Sequence, residues 1–254
     1  MQAVFHYHDA QTDDQLLTQA VVDSAIRLGA VVEYPARVVG LVQETHACRV
    51  DYMAGGREQS VSAAAVVNAA GPWANEVLSL ARPAIKPLPV DLVRGTHIVL
   101  AGVTLRAFYY LESPRDGRAV FAMPWQGKVL AGTTESKFRG EPDRVKPLRQ
   151  EIRYLHEIVN HYFPLWKDQP GTSGDTAFAG LRVLPAGSGH AFHRSREIRL
   201  HPACSPTGEP VRLLTLYGGK LTVWRATAEK VMRRIVPVLP RRKRRAEPRE
   251  LRLA

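Results

Sequence analysis

The stretch LLTLYGGKLTVWRATAEKV, residues 213–231, restricts the fold more than any other part of the chain. A short apolar run of strand length is followed by a Gly-Gly pair, one lysine, and a breaker-free run with helical spacing. A strand–turn–helix unit of this kind presents the free N–H groups and positive dipole end of its helix at the turn, where negative charge is stabilised. Glycines there let the backbone approach a ligand closely. Lys230, Arg233 and Arg234 stand at the far end of the helix, which suits the opposite pole of the dipole. An ordinary helix behind a glycine turn satisfies the same pattern, so the unit alone does not say what is bound.

The rest of the chain supplies an α/β frame. TDDQLLTQAVVDSAIRLG predicts a helix, with Thr12 and Gln15 as a capping box, Leu17, Val21, Ser24 and Leu28 on one face, and Gly29 as the stop. AVVEYPARVVGLV predicts a strand that Pro35 bends or confines to an edge. CRVDYMAGGREQSVSA alternates around Gly55-Gly56 as a hairpin does, and AAAVVNAAGPW reads as a buried strand that stops at a turn. From Ile85 onward VDLVRGTHIVLAG, LRAFYYLES, RAVFAMPW and KVLAGTTE predict a four-stranded antiparallel sheet. A helix over EPDRVKPLRQEIRYLHEIVNHYF follows, with Leu148, Ile152, Leu155 and Val159 on one side; FAGLRVLPAG and REIRLH then bring strands back. The expected organisation is an α/β part over residues 1–84 and 179–238, an inserted antiparallel, α+β part over 85–178, and a basic tail over 239–254.

Composition narrows the setting. At 254 residues, with 45% hydrophobic and 23% charged, the chain has enough apolar material for one large or two smaller domains with real cores. No apolar run approaches the roughly 20 residues of a membrane-spanning helix, and the first residues lack a signal-peptide pattern. Two distant cysteines, Cys48 and Cys204, suit a reduced, cytoplasmic protein. Much of the net charge of +11 sits in the last residues, RRKRRAEPRELRLA. That tail is open to two readings: a solvated end, or contact with an anionic membrane surface on the inner face of the cell membrane. Nucleic acid is not expected, since no recognition fold accompanies the charge.

Several motifs are missing. No G-x-G-x-x-G or G-x-x-x-x-G-K-[ST] occurs; Gly187 and Gly189 begin such a pattern, but Phe192 stands at the third glycine's place. HEIVNH approaches a zinc helix, yet His156 and His161 are five apart and do not share a face as H-E-x-x-H does. No metal site is expected, and neither cysteine has an evident base partner.

Four segments taken together carry a family resemblance. VVNAAGPWANEV, LVRGTHIVL, AGTTE with AGLRVLPAG, and YGGKLTVWRATAEKV resemble, in the same order, the FAD-dependent glycerol-3-phosphate dehydrogenases of the D-amino-acid-oxidase-like flavoprotein superfamily. The likeness runs from about Tyr7 to Met232; GGKLTVWRATAE is its more specific part, whereas NAAGPWANE is shared across the superfamily. The resemblance implies an FAD cofactor, a small phosphorylated substrate oxidised at a secondary alcohol, and a quinone acceptor. Amine and 2-hydroxy-acid oxidases of the same superfamily are the alternative, with the arginines facing a carboxylate. It also implies that the α/β part is a partial FAD-binding Rossmann-like domain, whose first strand, G-x-G-x-x-G turn and helix hold the FAD pyrophosphate. This sequence begins after that unit, so the expectation is the back two-thirds of such an enzyme. It is then either truncated, or a remnant or subunit that needs a separate dinucleotide-binding chain.

The resemblance also assigns residues. Asn68, Ala69, Ala70 and Gly71 are small enough for close approach of the dinucleotide, and Pro72 forces the turn. Gly218, Gly219, Lys220, Leu221 and Thr222 bring backbone N–H groups to the flavin ring, where they stabilise the negative charge it acquires. His97 in RGTHIVL is the expected base, since histidine titrates near working pH; Lys220 serves phosphate or flavin. Arg182 in GLRVL and Arg196 in SREIRL match positions that bind the substrate phosphate, where guanidinium offers bidentate contacts. Two departures stand out. Many relatives have a proline directly after GLR, and many have aspartate where GTTE has glutamate, which leaves Thr133 and Thr134 as the surer correspondences. Each residue also has a plain structural reading: a histidine between apolar neighbours, an arginine in a surface ion pair, small residues at a strand end.

Overall fold

Among the described residues the strands form three sheets, two of which pack together at Val183 and Tyr217. The computed structural model describes residues 6–166, 174–187, 197–203, 210–243 and 245–253. Helix α1 (Asp14–Arg27) is capped by Asp13, whose carboxylate accepts from the Leu16 amide at 3.0 Å, so Thr12 is not the cap and the Thr12–Gln15 box does not form. An aspartate one residue later reaches the free N–H groups and adds the charge that the helix N-terminus favours. β1 (Ala36–Gln43) begins only after Pro35, which has no N–H to give to a ladder, and residues 30–35 lie outside any strand. β1 pairs with β2 (Cys48–Ala54), and β2 with β3 (Arg57–Ala63) through Gly55 and Gly56, both at positive φ as the predicted hairpin requires. β4 (Val66–Asn68) leads through a 3-10 turn (Gly71–Trp73) to α2 (Ala74–Ser79) and β5 (Ala81–Arg82), which joins β1 in parallel. Six residues are too few for a helical period to show, and α2 is not predicted from the sequence.

The second sheet is antiparallel, as predicted, but six-stranded rather than four-stranded. β6 (Val90–Leu100), β7 (Tyr109–Glu112), β8 (Ala119–Trp125) and β9 (Lys128–Gly132) are joined by β10 (Ser136–Phe138) and β11 (Thr176–Pro185). β6 is the spine: β11 pairs with it from Val90 to Val99, while β9 and β10 share its other edge. β11 runs through the expected boundary at 178/179 and stays in this sheet to Pro185. α3 (Arg149–Tyr162) is shorter than the predicted helix, because Pro142 and Pro147 disfavour helical backbone in the residues before them. Leu148 is its N-cap and exposed; Glu151, Leu155, Ile158 and Val159 form the buried side. Ile98, Leu100, Val120 and Val129 of the sheet pack there, each such burial stabilising the fold by about 1.5–3 kcal/mol.

The third sheet holds β12 (Arg199–Pro202), β13 (Leu213–Tyr217) and β4, with β13 and β4 parallel and Asn68 opposite Thr215. A 3-10 turn (Leu221–Val223) and α4 (Trp224–Ile235) follow β13, so the strand–turn–helix unit forms as read. Val231 and Ile235 pack on Leu214, while Lys230, Arg233 and Arg234 are exposed. In the tail, Arg241, Arg242 and Lys243 are exposed, and Arg245 donates to the Leu28 carbonyl at the C-terminal end of α1.

Candidate active site

Alternate side chains of a strand point to opposite faces. On β6, Arg94, Thr96 and Ile98 turn toward α3; Gly95 and His97 turn the other way, with their ladder partners. At the level of His97 the register aligns Tyr110, Phe121, Gly132, His97 and Phe178 in one row across the sheet. The imidazole lies flat on Phe178, with ring centroids 5.1 Å apart and planes 13° from parallel. It also covers Gly132, where an added Cβ would come within 2.2 Å of its Cδ2. His97 Nδ1 is buried without a hydrogen-bond partner among the described residues. One step along the strand, Gly95 leaves room for two groups: a Cβ there would lie 2.6 Å from the Thr133 hydroxyl and 3.2 Å from Arg182 Nη2. Arg182 pairs across from Val93, so its guanidinium leans along the strand toward His97.

Arg182 donates to Glu135 at 3.1 Å, and Arg118 approaches the other oxygen of that carboxylate at 3.4 Å. Gly132 pairs with His97 and Ser136 with Arg94, so residues 133–135 oppose only Gly95 and Thr96. The extra residue is a bulge, and bulges re-aim side chains. Thr134 is buried and tied to the ladder, its hydroxyl accepting from the Thr96 amide at 3.0 Å. Burial, and then the charge of Arg182, lower the His97 pKa to about 4, against an upward pull from Asp14. The ring is therefore neutral at neutral pH.

The turns after β4 and β13 lie side by side at the C-terminal ends of two adjacent parallel strands, where open α/β sheets bind ligands. Asn68 is buried and organises the first turn: its amide donates to the Ala74 carbonyl at 2.8 Å, and its Oδ1 accepts from the Ala70 amide at 3.2 Å. Ala69, Ala70 and Gly71 supply the backbone of that turn, and Gly71 has φ 54° with open space where a Cβ would stand. Gly218 and Gly219 have φ of 74° and 99°, and a Cβ on Gly218 would meet the Val183 carbonyl at 3.4 Å. Val183 follows Arg182, so the second turn packs on the strand that carries the arginine. Lys220, Leu221 and Thr222 are exposed, and Leu221 faces Asp14, Gln15, Thr18 and Val22 of α1 across an open groove of about 600 Å³. Arg196 lies outside the described residues. Asp14 and Phe178 carry no signal in the sequence, whereas Gly95 and Gly132 lie inside the motifs RGTHIVL and AGTTE without standing out there.

Residues 1–222 match the model of a family described as FAD dependent oxidoreductase. The chain belongs to that family. Similar members include the aerobic glycerol-3-phosphate dehydrogenase of Escherichia coli (strain K12), 29% identical over 92% of this chain and 46% of that protein. The D-erythritol 1-phosphate dehydrogenase of Brucella abortus (strain 2308) is 31% identical over 93% of this chain and 47% of that protein. Among solved structures, the glycerol-3-phosphate dehydrogenase from Bacillus halodurans complexed with FAD is similar with a TM-score of 0.74 and 26% identity, covering 89% of this chain and 43% of that one. The chain spans about half the length of the curated relatives it matches. Gly71, Gly218 and Gly219 all hold left-handed backbone at these turns; a Cβ on Gly71 would stand in the space an FAD could approach, whereas one on Gly218 or Gly219 would meet the Glu197 carbonyl or the Ile198 side chain.

Proposed function

We propose that the chain is the ring-binding and substrate-binding part of a flavin-dependent polyol-phosphate dehydrogenase, with glycerol 3-phosphate the first substrate to test. The observation that carries this is a shared neighbourhood: neutral His97 and cationic Arg182 stand side by side, and Asp14, whose charge acts on His97, also lines the groove that Leu221 of the β13 turn faces. FAD, when bound, supplies the acceptor for the hydride that leaves the alcohol carbon. Arg182, with the Thr133 hydroxyl beside it, binds the phosphate by charge-assisted hydrogen bonds. His97 takes the hydroxyl proton, because a neutral imidazole has a lone pair to accept it. Phosphate seated on Arg182 removes part of the repulsion that weakens the histidine as a base. The N–H groups of Gly219, Lys220 and Leu221 stabilise negative charge at the cofactor end, Thr222 continues the same turn, and the Lys220 ammonium adds to the positive field there. Asn68 acts by holding its turn in shape.

Among the described residues β4 has no neighbour on its outer edge, and the sequence contains no G-x-G-x-x-G. These features support a division of labour: a further strand–glycine turn–helix unit, on the same polypeptide or another, pairs with β4 and holds the FAD pyrophosphate. A quinone is the proposed electron acceptor. Exposed Arg233, Arg234, Arg241, Arg242 and Lys243 are the proposed contact with an anionic membrane surface. No described helix is long and apolar enough to cross a membrane.

The test uses flavin-loaded protein. Arg182→Ala is expected to raise KM for glycerol 3-phosphate by roughly one to two decades, and His97→Gln to lower kcat by roughly two to four. Unchanged kinetics in both variants would remove the assignment. A preference for amino or 2-hydroxy acids over phosphate esters would move Arg182 to a carboxylate.

A further inference from the structure

A histidine that works as a base is commonly aimed by a hydrogen bond at its other nitrogen, which sets both tautomer and ring orientation. His97 has no such bond at Nδ1 among the described residues. Packing takes its place. Phe178 is the direct cross-strand partner of His97, close enough in an antiparallel ladder for the two side chains to stack. The stack is nearly parallel, and the opposite side of the ring is closed by Gly132, where even one methyl group would not fit. Phe178 is itself 50% exposed and belongs to none of the buried clusters, so its contact with His97 is not a by-product of core packing.

We propose that Phe178 is a positioning residue: stacked on His97, it clamps the imidazole against the Gly132 backbone and holds the base in one orientation over the open face. The inference rests on the reading of His97 as the base. The charged groups around the ring are Arg182 on β11, with Glu135 and Arg118 behind it, and Asp14 on α1. None of them is removed by changing Phe178, so a response of His97 to that change reports the clamp.

NMR of the ring C–H signals in the full chain, with His97→Gln to assign His97 among nine histidines, reads the clamp without any flavin. Phe178→Ala opens the ring to water, so His97 is expected to titrate well above its value of about 4 and nearer the ordinary 6.5. Phe178→Trp, which keeps an aromatic face, is expected to leave it low. In flavin-loaded protein Phe178→Ala should lower kcat by roughly 10- to 100-fold with KM little changed, and tryptophan should restore it. Phe178→Leu keeps the bulk and loses the flat ring, and it serves if the alanine variant does not fold; its kcat should fall where that of the tryptophan variant does not. An unmoved His97 titration in Phe178→Ala, or equal kcat for leucine and tryptophan, would overturn the clamp. Full turnover by His97→Gln would instead sink the base assignment, and with it any part for Phe178 in the reaction.

Discussion

On the face of β6 that meets α3, Arg94 donates to Glu151 at 3.1 Å, Thr96 donates to its other oxygen at 2.7 Å, and Ser136 and the Leu148 amide complete the set at 2.6 and 3.1 Å. On the opposite face of the same strand, His97 has a buried nitrogen without a described partner, and its neighbour in the site is a cation. Burial would raise the pKa of Glu151, yet the hydrogen bonds from Ser136, Thr96 and Leu148 and the charge of Arg94 outweigh it and hold the carboxyl below its usual range. Nothing comparable offsets the burial of His97. Both groups are shifted, but a buried polar network that is fully satisfied fixes structure, whereas a buried nitrogen without a described partner beside a cation is placed to do chemistry.

The contrast is open to test, most severely at Glu151. Glu151→Ala leaves Arg94 buried without its counter-ion and should destabilise the fold by about 3–5 kcal/mol in denaturant unfolding. Arg182→Ala, on the wetter face, should cost stability less than about 1 kcal/mol. Equal losses would erase the distinction between the faces.

Acid provides the second test. The folded pKa of His97, about 4, lies below its ordinary 6.5, so the folded state binds fewer protons than the unfolded one across that window. Its contribution to stability is then fully present above 6.5 and lost as pH falls to about 4, a total of about 3 kcal/mol. The contribution of Glu151, also a lowered group, persists to lower pH because it disappears only below the ordinary carboxyl value of 4.5. Unfolding curves of His97→Gln should lack the part of the pH slope between 6.5 and 4.

A smaller change should act on the open face alone. Gly132→Ala forces the His97 ring aside and should lower kcat of flavin-loaded protein on the order of 100-fold, with the Glu151 network untouched. A contact remote from both faces sets the floor. Arg245→Ala removes one of two cations at the C-terminal end of α1, Arg27 being the other, and should cost about 0.3–1 kcal/mol of stability, with no effect on turnover.

Local signals were legible in the sequence. The Gly55-Gly56 hairpin, the strand–turn–helix unit after Leu213 and the strands on either side of the turns after Leu100 and Trp125 each depend on residues a few positions apart, where turn chemistry and composition act directly. Local competition was less so: Asp13 displaced Thr12 as cap, and the prolines before Arg149 shortened α3. Any strand has two faces, but the sequence of β6 does not show which of them α3 covers. That choice came from long-range packing, which set Glu151 beneath Arg94 and Thr96 and left His97 on the open side. Phe178, Gly132 and Asp14 reach His97 from three distant segments, through strand register and the placement of one helix end. Sequence spacing carries no record of such meetings, because the free energy that selects them comes from burying whole faces rather than from neighbours along the chain.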